Sequence, residues 1–157
     1  MKTLPPLTAE LKGDRAIIVD MLGETLSVLE GYTHLHPGKL HHISEEATLL
    51  CRNLLLHLQH LSAPHEHDGE ESSQLLSSFL GDADALDAIS ARIHAEGGDY
   101  RLTTALRLLA ESFRLTGPAI LRWRFDYSGQ ENESALDLRW QRFKRVIKPL
   151  ADDLAAA

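Results

Sequence analysis

The chain has 157 residues, of which 43% are hydrophobic and 25% charged. That is the size of one domain with a self-sufficient core, and the composition excludes a disordered or fibrous chain. The net charge of −7 is uneven: residues 1–98 hold 6 Lys and Arg against 15 Asp and Glu, whereas residues 99–148 hold 10 against 6. The basic half therefore calls for an acidic counterpart, either the N-terminal half or a protein partner, and nucleic acid is not the expected ligand of so acidic a chain.

Pro5 and Pro6 close an expected N-terminal tail over residues 1–7, and a single domain is expected over residues 8–155. Thr8 suits the N-cap of a first helix, along which Leu11, Ile18, Leu22, Thr25, Leu29 and Tyr32 share one side as far as Gly31-Tyr32. His34-Leu35-His36-Pro37-Gly38 reads as a turn, because Pro37 biases His36 away from helical angles. The central helix follows. Its start is placed at Lys39 or at an internal cap on Ser44, and its end near Ser62-Ala63-Pro64. Ile43, Ala47, Leu50, Leu54, Leu58 and Leu61 form its apolar stripe at steps of three and four.

His65 to Asp68 lie in a polar loop. Glu70 to Leu80 predict a short helix stopped by Gly81, after which Asp82 or Asp84 caps another, with Leu86, Ile89 and Ile93 inward and Gly97-Gly98 at its end. Asp99 opens the next helix, whose Leu102, Leu106, Leu109 and Phe113 keep the period up to Thr116-Gly117-Pro118. Pro118 suits the first turn of a further short helix to about Tyr127. Ser128 to Glu133 connect to a last helix starting near Ser134, which buries Leu136, Trp140, Phe143, Ile147 and Leu150 and is kinked or ended by Pro149. No segment alternates with period two. The expected fold is all-α, an antiparallel helical bundle of five to seven helices.

Three groups of residues bear on function. Eight of the nine histidines lie between positions 34 and 67, and neutral imidazole is a common ligand of transition metals. His57 and His60, spaced i,i+3, can share one ion, zinc or iron, with His65 and His67 if the following loop folds back. The run His41-His42-Ile43-Ser44-Glu45-Glu46 resembles a ligand helix of hemerythrin-like di-iron bundles, but beyond Asp68 only His94 remains to supply imidazole from later helices.

The second group is Arg52-Asn53-Leu54-Leu55-Leu56-His57. It resembles the R-[N/D]-x-x-x-H signature of HEPN-type ribonucleases, all-α bundles in which arginine and histidine meet across a dimer interface. The resemblance implies metal-independent RNA cleavage, with His57 moving a proton and Arg52 stabilising the charged phosphorane. At 100° per residue the two side chains are about 140° apart on the helix, so two subunits are needed to join them.

The third group is the basic outer side of the last helix, Arg142, Arg145 and Lys148, which suits an acidic protein surface. On the back of the central helix Leu49, Arg52 and Leu56 point away from the buried stripe. With no strong catalytic motif, the reading preferred here is a non-enzymatic interaction or regulatory module, binding a protein partner or itself as a homodimer through Leu49, Arg52 and Leu56. It needs no cofactor. One cysteine, Cys51, makes no internal disulfide, and no run reaches the ~18 apolar residues of a membrane span, so the expected setting is cytoplasmic, without a membrane partner.

Overall fold

Apolar positions at helical spacing recur along nearly the whole chain, and the chain answers with helices. The computed structural model describes residues 9–61, 69–125 and 133–157, and among them are five helices and no strand. They are α1 (Ala9–Leu35), α2 (Lys39–Leu61), α3 (Gly69–Ala95), α4 (Tyr100–Phe125) and α5 (Glu133–Ala156). Each helix packs on its neighbours in sequence, α5 returns to α1, and α1 also touches α4, so the five enclose one core. The tail over residues 1–7 and the loop from His65 to Asp68 lie outside the described residues.

Most predicted inward positions are buried. Ile18, Leu22, Thr25, Leu29 and Tyr32 of α1, Leu86, Ile89 and Ile93 of α3, Leu102, Leu106, Leu109 and Phe113 of α4, and Leu136, Phe143, Ile147 and Leu150 of α5 all lie in the interior. α3 packs most extensively on α4, where the Phe79 and Phe113 rings meet edge to face with centroids 4.8 Å apart. Some buried hydroxyls are satisfied locally or across helices, Thr25 Oγ1 donating to Met21 O at 2.7 Å and Ser90 Oγ of α3 to Thr103 O of α4 at 2.9 Å, whereas Thr33 Oγ1 and Ser44 Oγ are buried without a hydrogen-bond partner.

Several boundaries differ from the expectation. α1 continues past Gly31-Tyr32 to Leu35, and the Tyr32 hydroxyl accepts the Asp99 N–H at 3.0 Å. The turn shrinks to residues 36–38, with Gly38 at φ 75°. α2 begins at Lys39, and Ser44 is buried within it rather than capping it. Its inner stripe centres on Ala47, Cys51, Leu54 and Leu58, leaving Leu50 half-buried at the flank; the Leu61 side chain is outside the described part. Asp99 does open α4, accepting Arg101 N–H at 2.8 Å on Oδ1, and the Arg101 guanidinium holds its carboxyl below the usual carboxylate range.

The predicted end at Gly97-Gly98 is present, since α3 stops at Ala95, but the breaks expected at Gly81 and Gly117 are not. α3 runs through Gly81, which places Asp82 and Asp84 in mid-helix instead of at a cap, and α4 runs through Gly117-Pro118 to Phe125. α5 likewise continues through Pro149 to Ala156, with Leu150 buried beyond it. A local breaker costs about 1 kcal/mol for glycine and about 3 for proline, less than what a long apolar stripe recovers by staying in register. Trp140, expected in the core, is half-buried and stacks on Phe143 at 6.0 Å.

Gly81 and Gly117 make opposite demands. A Cβ at Gly81 meets nothing within 4 Å, whereas one at Gly117 lies 2.9 Å from Phe79 Cδ1 and Cε1 and 3.2 Å from Leu76 Cδ1. Gly81→Ala is therefore expected to raise the unfolding free energy by about 0.5–1 kcal/mol and Gly117→Ala to lower it by about 1–3 kcal/mol in urea melts. Equal effects of one sign would contradict this packing of α3 on α4.

Candidate functional site

The outer side of α2 leaves two large aliphatic side chains of one ridge uncovered. Leu49 and Leu56 are 60% and 62% exposed, far above their neighbours Leu54 and Leu58, which are fully buried. His42, Glu45, Arg52, Asn53 and Gln59 are exposed around them. At 100° per residue Glu45, Leu49, Arg52 and Leu56 form one ridge opposite the inner stripe. Beside that ridge runs a groove of about 700 Å³ between α1 and α2, lined by Leu26, Ser27, Glu30 and Thr33 on one wall and Glu45, Thr48, Leu49 and Arg52 on the other. Among the described residues Arg52 makes no ion pair, although Glu30 and Glu45 share its groove.

Arg52 and His57 face different neighbours. Arg52 lines the groove beside α1, while His57 turns to α3, where its Nδ1 lies 2.9 Å from Asp82 Oδ2. Both of these atoms are buried and neither has a hydrogen-bond partner, so the contact is an electrostatic approach without hydrogen-bond alignment, and an ion pair when the imidazole is protonated. Sequence reasoning could place Asp82 only as a helix cap, with no sign of its approach to His57.

Two of the described histidines, His36 and His41, serve the end of α1. A helix leaves its last carbonyls without intrahelical partners; His41 Nδ1 lies 2.9 Å from one of them, Thr33 O, and His36 Nδ1 lies 2.9 Å from Tyr32 O, which also accepts the His36 N–H at 3.1 Å. The His36 ring also stacks on Tyr32 with centroids 3.9 Å apart. Among the described residues no group of three or more His, Cys, Asp or Glu is placed to hold a metal. Of the metal set His57, His60, His65 and His67, the side chains of the last three lie outside the described part. Cys51 is buried, and burial pushes its thiol up to about 12.

On the opposite side, Arg142 and Arg145 of α5 line a groove of about 390 Å³ with Thr104, Arg107, Leu108 and Glu111 of α4. Lys148 lies further along the exposed side of α5, beside Asp152 and Asp153. Arg107 is the residue that sequence reading missed; its place off the Leu102, Leu106 and Leu109 stripe was the available signal. Elsewhere arginines are saturated: Arg92 by Glu46, Arg101 by Asp99 and Asp153, Arg114 by Asp84 and Asp87, and Arg139 by Glu111. Among the described residues Arg107, Arg142 and Arg145 form no such pair.

No protein-family model, no curated protein and no solved structure matches this chain. No described helix is long and apolar enough to cross a membrane.

Two measurements test this geometry. His57→Ala and Asp82→Ala are each expected to cost about 1 kcal/mol of stability, and the double variant less than their sum by about 0.5–1 kcal/mol; strict additivity would mean that the two side chains do not interact. Cys51 should resist alkylation at about pH 8 in the folded chain and react freely in urea, so rapid labelling of the native protein would contradict its burial.

Proposed function

We propose that this chain is a non-catalytic interaction module whose outer α2 face, built on Leu49, Arg52 and Leu56, takes a protein partner. One observation carries the reading: two large aliphatic side chains stand mostly exposed on an otherwise charged helix ridge, beside a groove deep enough to receive a partner's side chains. A helix face with spaced apolar anchors and a charged surround is what a partner helix or loop can dock on. In this reading the five helices run as an antiparallel bundle, supported by the three-residue link from Leu35 to Lys39 and by the His41 contact back to Thr33. A reducing, cytoplasmic setting suits the single buried thiol.

The groove of Arg107, Arg142 and Arg145 is a second surface of the same module, suited to an acidic segment of the partner. Its favoured ligand is a carboxylate-bearing protein segment, because arginine forks pair bidentately with carboxylates and Leu108 and Val146 give the groove an apolar floor.

Leu49→Glu combined with Leu56→Glu should lower both self-association, followed by sedimentation, and protein capture by the immobilised chain, by about tenfold or more. The helical circular dichroism should stay unchanged, since both positions face solvent. Equal association by the double variant and the wild type would place the interaction elsewhere.

A further inference from the structure

We infer that the partner of the α2 face is a second copy of this chain, paired with it across a two-fold axis that passes beside Leu49, with the two α2 helices antiparallel. The inference rests on the reading of this face as a protein-binding surface and adds the identity and register of the occupant.

The charge pattern is what selects the occupant. Glu45 lies four residues before Leu49 and Arg52 three residues after it, all three exposed on one ridge. A two-fold contact presents the same patch to itself, so each residue must find its complement within that patch. Antiparallel crossing about Leu49 satisfies this: Glu45 of each copy stands opposite Arg52 of the other, and the two Leu49 side chains meet near the axis. The same crossing carries Leu56 toward the N-terminal turn of the second copy's α2, around its His41 and His42. A parallel pairing fails, since it sets Glu45 against Glu45 and Arg52 against Arg52, with acid and base roughly 10 Å apart along the helix.

The state of the two charges in the single chain agrees. Arg52 has no ion-pair partner among the described residues, whereas Glu46, the neighbouring acid, is already committed to Arg92 of α3, which holds its carboxyl below the usual range. Glu45 meets His41 Nε2 at 2.7 Å at its N-terminal side, and its carboxylate remains half-exposed on the ridge. Within one helix Glu45 and Arg52 are two turns apart and cannot pair, so a second copy supplies what the chain cannot give itself. The pairing leaves each His57 on its own Asp82, and no Arg52–His57 pair forms across the axis.

Charge-reversal complementation tests this. Glu45→Arg alone sets a new cation against Arg52 at both ends of the contact, and Arg52→Glu alone sets a new acid against Glu45 at both ends. Each purified variant should therefore self-associate at least about tenfold more weakly than the wild type in sedimentation equilibrium. An equimolar mixture of the two variants removes the like-charge clash, because at each end one cation of the Glu45→Arg chain then faces one acid of the Arg52→Glu chain, and is expected to form a heterodimer with wild-type affinity. The mixture also controls for folding, because two misfolded chains do not rescue each other.

A wild-type chain that stays monomeric at about 0.1 mM overturns the self-pairing, as do single variants that dimerise like the wild type or a mixture that fails to recover. Those outcomes leave the broader surface assignment to the Leu49 and Leu56 test. Loss of partner capture in that double variant beside a monomeric wild type would identify a different protein as the occupant and overturn this inference alone.

Discussion

The burial of one face of α2 between its neighbours is the constraint from which the rest of the molecule follows. Ile43, Ala47, Cys51, Leu54 and Leu58 are all in the interior, so the rotation of α2 about its axis is fixed. Turning the helix by even one residue would move about 100° of surface and expose part of that stripe. A rotation so fixed leaves no freedom on the far side. Glu45, Leu49, Arg52 and Leu56 face outward because their inner counterparts are occupied, and the exposed leucines are a consequence of composition that an isolated domain would not require.

Polar side-chain contacts tie α2 to its neighbours. On the α3 side Arg92 clamps Glu46 with contacts of 2.5 and 3.3 Å, and His57 approaches Asp82; on the α1 side His41 reaches Thr33. At the far end of the bundle Arg101 joins Asp99 to Asp153, tying the start of α4 to α5. Exposed pairs of this kind contribute little stability individually, and their role here is to select register. The acidic first half and basic second half of the sequence are thus partly internal complements. Among the described residues, the arginines left without an ion pair after that cancellation are Arg52 on one side and Arg107, Arg142 and Arg145 on the other.

Strong periodicity was legible from the residues alone. The inner faces of α1, α4 and α5, the opening of α4 at Asp99 and the outward direction of Leu49, Arg52 and Leu56 all follow from three- and four-residue spacing. Breakers mislead, because Gly81, Gly117 and Pro149 act locally while helix continuity is decided by packing over many turns. Gly117 is a case in point: its lack of a side chain makes room for the Phe79 ring, a reason that lies on another helix. For the same reason the partner of His57, the Arg107 groove and the α1 wall beside Arg52 could not be read from one helix at a time. Each depends on how two helices align. The histidine-rich stretch suggests metal chemistry by composition, yet two of its described members, His36 and His41, reach carbonyls at the end of α1 and a third, His57, faces Asp82.

On this view α2 is a single rod clamped on its inner face and bare on its outer one until a second copy covers it. Hydroxyl-radical footprinting across a protein concentration series measures this residue by residue. Oxidation of Leu49 and Leu56 is predicted to fall as concentration rises, while Leu138 and Tyr100, exposed on other helices, keep constant rates. Unchanged oxidation of Leu49 and Leu56 over the whole series, or an equal decline at all four residues, would contradict it.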